Sequence, residues 1–344
     1  MARATDAQVR TWQDEGWVLI DGLLSVEEID AAAEDLWLLY SRPEEFHAGG
    51  GASRREAFLG GVDDRNLFRS DRIEPSGPAF RPEQFLGRSL FPFPGSGRLN
   101  RLAVHPHLVD FAERALESAD LRLYQLALWA KYHGVANYEQ PMHQDHNHSV
   151  VPPRSEPGWW HLEGYLYLSD VEEGTGPTRL VRLGDSGGRL ELLPQPPAVA
   201  PELYAAEIAA PGRRGSFLAY RPDVFHRGVD LTRPGGSRFL FGLGFKLAGQ
   251  EWIGYDTVQP RSSVGRFTRF VEGCTPRELA LFGVPRPGHR FWTPTGLQAM
   301  AARYPALDLT PWWDGLHNDQ APIAATGSVG ETGESNLEAH PRNQ

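Results

Sequence analysis

The sequence predicts a mainly β fold: an antiparallel sandwich or barrel with helices at both ends. Three observations carry that expectation. From residue 121 onward, short aromatic and aliphatic stretches follow one another without intervening helices, separated by Pro, Gly and Asp turns. That is the pattern of antiparallel sheet, not of alternating strand and helix. Before them, residues 6–40 carry apolar side chains at helical spacing. After them, residues 276–304 return in part to a helical pattern.

Taken in order, Val9, Trp12, Gly16 and Trp17 lead into a short apolar run, Val18 to Ile20, and Asp21-Gly22 signals a turn. Ser25 is placed as a helix N-cap, with Glu28 three residues on completing a capping box. Ile29, Ala32, Ala33, Leu36 and Leu39 then recur at helical spacing. Residues 48–100 change character. Gly49-Gly50-Gly51, Gly60-Gly61 and several prolines interrupt any long element, and Arg54, Arg55, Arg65, Arg69 and Arg72 are interspersed with acidic residues. This stretch reads as an irregular insertion, either a solvated excursion or a lid over a site. The candidate strands are 123–132, 140–145, 161–168, 178–183, 215–220 and 238–247. In the helical stretch that follows, Pro285, Pro287 and Pro294 are read as breaks. Residues 320–344 have no periodicity and read as a disordered tail. The expected organisation is therefore one domain, 1–319. It has N-terminal helices over 6–47, the insertion 48–100, a β core over about 121–250 and a C-terminal extension over 251–319.

Composition narrows the function. The 344 residues carry 34 Lys+Arg against 44 Asp+Glu, a formal net charge of -10. Such a balance argues against broad nucleic-acid or anionic-membrane binding, so a small-molecule partner is expected. No run approaches the ~18 apolar residues of a membrane helix, and Met1 to Arg10 lack the apolar core of a signal peptide. A single cysteine, Cys274, can form no internal disulfide and supply no Cys-based zinc or iron–sulfur site. A cytoplasmic location is expected. Only two lysines occur, Lys131 and Lys246.

The densest chemistry is His143-Gln144-Asp145-His146-Asn147-His148. In a strand, residues i and i+2 face the same way. His143 and Asp145 would then present an imidazole and a carboxylate together, with Gln144 turned away. These are two of the three ligands of a facial triad that holds non-haem Fe(II) and leaves three positions open. His226 follows 81 residues later, just past the apolar strand Phe217 to Tyr220. Arg238 sits 12 residues beyond it at the start of a second apolar strand, after the turn Arg233-Pro234-Gly235-Gly236. A hairpin here would bring Arg238 back towards His226. By strand parity Arg238, Leu240, Gly242 and Gly244 share one face, and Phe239, Phe241, Leu243 and Phe245 the other. The low bulk beside Arg238 is what a small bound acid would need, and a guanidinium grips a carboxylate bidentately. Arg227 and Arg233 read as surface ion-pair partners, with Arg233 the alternative anchor.

The order H-x-D, about eighty residues, His, then Arg resembles the Fe(II)- and 2-oxoglutarate-dependent oxygenases, in particular the phytanoyl-CoA dioxygenase-like family. The segment from Trp12 to Ser25 with Glu27 and Glu28, the H-Q-D-H form of 143–146, the turn Glu173 to Thr178 and the run Arg303 to Leu309 all resemble that family. Two features depart from it: Leu183-Gly184-Asp185-Ser186 stands where Pro-Gly-Ser-His is usual, and the His-to-Arg spacing is about one longer. The resemblance implies a double-stranded β-helix (jelly-roll or cupin-like) core with flanking N- and C-terminal helices. It implies Fe(II) on His143, Asp145 and His226, and 2-oxoglutarate on Arg238, with O2 as the second cosubstrate. The expected reaction is oxidation of a substrate C–H bond, chiefly hydroxylation, with release of succinate and CO2. Desaturation, epimerisation and cyclisation are the alternative outcomes. The retained Asp145 disfavours halogenation, for which the family uses a small residue there. Lys131 and Gln125, on one face of their strand, and Tyr165 are further candidates for the cosubstrate. His146 and His148 are candidates for the substrate or for supporting the metal ligands. Two competing classes are a zinc metallohydrolase, whose usual H-x-H-x-D-H differs from the H-Q-D-H-N-H found here, and a non-catalytic metal-binding β-sandwich.

Overall fold

The first strand lies where the sequence reads as helix. Thr5 caps the helix Asp6–Glu15, and Gly16, at φ +84°, ends it. Trp17–Ile20 (β1) then runs antiparallel to residues two hundred positions away. Gly22, also at positive φ, makes the expected turn. The expected capping box of Ser25 and Glu28 starts the helix Val26–Ala33. The computed structural model describes residues 3–48, 86–88, 91–93, 96–133, 139–145, 156–191, 193–250, 253–254 and 265–318. The lid reading of 48–100 falls largely outside them, as does the tail.

The remaining strands are Leu86–Arg88 (β2), Leu121–Tyr132 (β3), His161–Tyr167 (β4), Arg179–Leu180 (β5), Ile208–Ala209 (β6), Phe217–Tyr220 (β7), His226–Arg227 (β8) and Ser237–Leu247 (β9). They form two antiparallel sheets. The large one has the order β1-β7-β4-β9-β3-β2 and the small one β6-β5-β8. The expected strand 140–145 is reduced to two isolated bridges, Met142 with Gln195 and His143 with His226, which attach this segment to the small sheet. The expected strand 178–183 shrinks to β5.

Each large-sheet strand separates two environments by its period of two. Phe239, Phe241, Leu243 and Phe245 pack outward into the main core with Leu162, Leu166, Phe217, Ala219, Leu126 and Leu128. The helices Asp6–Glu15, Val26–Ala33, Gly97–Leu102, Pro106–Ala115 and Pro276–Ala280 contribute to the same core. Leu218, Tyr220, Tyr167 and Leu240 face the barrel interior, with Trp129 and Tyr165 beside them. The alternation predicted for β9 is therefore the one observed.

At the C-terminal end, Pro294 begins a helix instead of breaking one. Thr293 caps Pro294–Arg303, and proline fits the first helical turn because the N–H it lacks would be unsatisfied there. A helix over Thr310–Asn318, not expected from the sequence, follows.

Candidate metal centre

The interior of the barrel is polar at two levels. At the first, one ligand atom from each of His143, Asp145 and His226 lies within 4.8 Å of the others. His143 and His226 face each other across an antiparallel bridge closed by two backbone hydrogen bonds of 3.0 and 2.9 Å. Their ring centroids are 4.4 Å apart. Asp145 is placed by its own N–H, which donates to the Pro222 carbonyl at 3.0 Å. The 221–223 turn that offers this carbonyl is held by a buried bidentate pair between Arg221 and Asp223 (3.0 and 2.6 Å), with the guanidinium stacked on Trp160. Gln144 points away from the centre, as expected. Its amide donates to the carbonyls of Arg189 and Asp223, and its oxygen accepts from the Glu191 N–H, tying the segment down.

The imidazoles are preset for ligation through Nε2. His143 Nδ1 lies 2.9 Å from the Pro141 carbonyl, and His226 Nδ1 lies 3.1 Å from the Val224 carbonyl. A carbonyl can only accept, so each Nδ1 carries the hydrogen and each Nε2 keeps its lone pair. Those Nε2 atoms stand 3.8 and 3.4 Å from the two oxygens of Asp145. Neighbouring ligands about 2.1 Å from one ion stand about 3 Å apart, so a small closure would complete such a set. Burial disfavours the charged form of His226, but the charge and hydrogen bond of Asp145 outweigh it and hold its pKa above the ordinary histidine value. The pocket thus favours a cation. Two neutral imidazoles and one carboxylate, with no thiolate, suit a divalent metal of the Fe(II) type.

At the second level lie Arg238 and Lys131, directly opposite each other on β9 and β3 and almost fully buried. Arg238 donates to the carbonyl of Gly176, a residue at φ +73° in the 173–176 turn. Lys131 donates to the Val229 carbonyl at 3.1 Å. Burial, and then the charge of Arg238, push the Lys131 ammonium well below its ordinary pKa. Burial lowers Arg238 as well. Among the described residues Arg238 forms no ion pair, so its surroundings suit an anion. Arg233 and Arg227 lie elsewhere, in ion pairs with Glu172 and with Glu139 and Glu207.

Gln125 and Tyr165 also face the interior, and with Trp129 they keep partial exposure there. His146 and His148 lie outside the described residues. Two expectations about this region need correction. His226 and Arg238 are not joined by a hairpin: β8 belongs to the small sheet and β9 to the large one, so the 228–236 connection crosses between sheets. Nor do Gly242 and Gly244 leave space for an acid. A Cβ on Gly244 would lie 2.6 Å from the Tyr124 ring, and one on Gly242 would lie 3.1 Å from the Trp129 indole nitrogen. The glycines admit aromatic rings.

Sequence reasoning missed Tyr220, Glu163 and Tyr124. Tyr220 places its hydroxyl 3.1 Å from Asp145 Oδ2 and its ring 4.7 Å from that of His226. Glu163, the lone acidic residue in a largely apolar strand, was the one available signal, and nothing in the sequence linked it, Tyr124 or Tyr220 to the candidate metal ligands.

An antiparallel barrel of this topology, with a candidate metal-ligand cluster inside it, can be compared with solved structures for its fold. No family model matches the chain, and no curated protein matches it. Among solved structures, EctD from S. alaskensis with 2-oxoglutarate and 5-hydroxyectoine is 16% identical, with a TM-score of 0.53, over 75% of this chain and 82% of that one. The non-haem alpha-ketoglutarate-dependent carbocyclase SnoK from nogalamycin biosynthesis is 20% identical, with a TM-score of 0.50, over 77% and 90%. The chain shares their double-stranded β-helix fold.

Proposed function

We propose that the protein is a non-haem Fe(II)- and 2-oxoglutarate-dependent oxygenase of the phytanoyl-CoA dioxygenase-like type, acting on a small organic substrate in the cytoplasm. The observation that carries this is the convergence of His143, Asp145 and His226, with both Nδ1 atoms anchored and both Nε2 atoms turned to one point. In this reading the three side chains hold Fe(II). Bound there with 2-oxoglutarate, the metal would supply O2 activation and oxidation of a substrate C–H bond, with release of succinate and CO2. Arg238, supported by Lys131, takes the distal carboxylate of 2-oxoglutarate. An almost fully buried guanidinium without an ion-pair partner among the described residues gains most from an anion that shares its burial. Gln125 and Tyr165 are further candidates for the cosubstrate, and His146 and His148, which follow the metal motif in the sequence, for the substrate. Tyr165 is raised in pKa by burial and then by Asp145, so its hydroxyl remains a donor.

Hydroxylation is the preferred outcome. Ring closure is the second reading, favoured by the likeness to a carbocyclase. The direct test is anaerobic addition of Fe(II) and 2-oxoglutarate to metal-free protein. The expected result is a weak metal-to-ligand charge-transfer absorption, followed in air by slow succinate formation that a true substrate accelerates. A fully loaded protein with no such band would end the proposal.

A further inference from the structure

Glu163 has no role in the reading above, yet its carboxyl group is only 2% exposed inside the barrel. Such a group is tolerated where hydrogen bonds replace its water. The hydroxyl of Tyr124 donates to Glu163 Oε1 at 2.6 Å, and that of Tyr220 lies 3.3 Å from Oε2. The same Tyr220 hydroxyl stands 3.1 Å from Oδ2 of Asp145. A continuous polar chain therefore runs Tyr124–Glu163–Tyr220–Asp145, its members drawn from three strands and the metal-motif segment.

Two local irregularities serve this chain. The β3–β9 register shifts between Leu123 and Gln125. Strict alternation would turn either Tyr124 or Gln125 outward; the bulge turns both inward. Opposite them Gly244 provides the room, since any Cβ there would collide with the Tyr124 ring. A bulge and a glycine at the same place weaken a central strand. Both are accounted for if the Tyr124 hydroxyl must reach Glu163.

We propose that Glu163 is a positioning residue for the metal centre: it accepts from Tyr124 and, as the neutral acid, donates its own hydrogen to the Tyr220 oxygen, so that the single Tyr220 hydrogen is left for Asp145, setting that carboxylate and bracing the ring of His226. This inference rests on the metal-site reading of His143, Asp145 and His226. It adds a support that reaches Asp145 from the large sheet, whereas the backbone contacts of the ligands lie in the small sheet and its turns. Groups behind a ligand shape metal affinity strongly, and their loss costs about 10- to 100-fold.

The test uses the full chain stripped of metal by EDTA and titrated with Co(II), followed by calorimetry and by the visible absorption of the bound ion. Tyr220→Phe, which deletes one hydroxyl, is expected to weaken Co(II) binding about 10-fold or more and to shift the absorption bands. Glu163→Ala should do the same. Glu163→Gln should recover most of the affinity, because its amide oxygen can take the Tyr124 hydroxyl while its NH2, standing in for the acid O–H, donates to Tyr220 and leaves the Tyr220 hydrogen for Asp145. Tyr124→Phe should fall between wild type and Tyr220→Phe. If Glu163→Ala does not fold, the two hydroxyl deletions decide. Tyr220→Phe binding Co(II) within twofold of wild type, or Glu163→Gln no better than a folded Glu163→Ala, would overturn the inference. A wild-type chain that binds no Co(II) is a separate outcome, and it would overturn the metal-site reading itself.

Discussion

The two sheets of the barrel divide the work unequally. The large sheet is built around two long strands and has packing on both faces: β3 and β9 pair along nearly their whole length, with a hydrophobic layer outside and a mixed layer inside. The small sheet is made of two-residue strands and single bridges. Yet the small sheet holds His143 and His226, whereas the large one holds Arg238, Lys131 and Glu163. Long strands fix a side chain by period and register, which suits the anion anchor proposed for Arg238. The short strands end in turns, and there each imidazole can reach back to the carbonyl two residues before it. A regular strand spends that carbonyl on its neighbour. The proposed metal ligands thus sit where backbone irregularity lets side chains converge, and the large sheet opposes them.

The sharpest way to break this comparison is at the small sheet. His143→Ala or Asp145→Ala should reduce 2-oxoglutarate-dependent succinate formation to background while the far-UV circular dichroism of the protein is retained; turnover at the wild-type rate would remove the site. Next comes the anchor on the large sheet. Arg238→Ala should raise the apparent KM for 2-oxoglutarate by about 100-fold, corresponding to about 3 kcal/mol for a lost bidentate charge-assisted contact. Arg233→Ala, which removes only an exposed ion pair, should change it less than about twofold. The reverse order would place the anchor on Arg233.

Smaller effects probe the packing behind each sheet. Gly244→Ala should destabilise the fold by about 1–3 kcal/mol, read as a lowered thermal midpoint, because its Cβ meets the Tyr124 ring at 2.6 Å. Ser25→Ala, outside the barrel, should cost about 1 kcal/mol through loss of the helix cap. Last, burial pushes the Cys274 thiol up to about 12. The thiolate is the reactive form. At pH 8 the folded protein should therefore resist alkylation by iodoacetamide and react only on unfolding; rapid labelling of native protein would show the outer layer to be open.

Much of the site was legible in the sequence, for identifiable reasons. His143 and Asp145 are two apart, and Gln144 between them points away as parity required, where it serves as a tether that parity did not announce. Arg238 and the four apolar residues after it alternate as strand residues must. Strand β1 was not legible: four residues between two capped helices are too few to show a period, and pairing with Phe217–Tyr220 alone makes them a strand. The path from His226 to Arg238 was misread because a Pro-Gly-Gly turn announces a reversal but not which sheet receives the chain. The glycines of β9 were misread for a similar reason. A missing side chain signals space, but the sequence does not say what fills it, and here Tyr124 and Trp129 do.

By itself, the sequence determined which chemical groups are available: a histidine–carboxylate–histidine set without thiolates, one arginine at a strand start, and strands whose alternation separates core from interior. These follow from local periodicity and residue chemistry. The tertiary structure alone decided which groups meet. The bridge between His143 and His226, the pairing of Lys131 with Arg238, and the chain from Tyr124 through Glu163 and Tyr220 to Asp145 all join residues from distant segments. Their contacts depend on register, on one bulge and on two glycines. Those are set by how the strands pack against one another, which no single segment encodes.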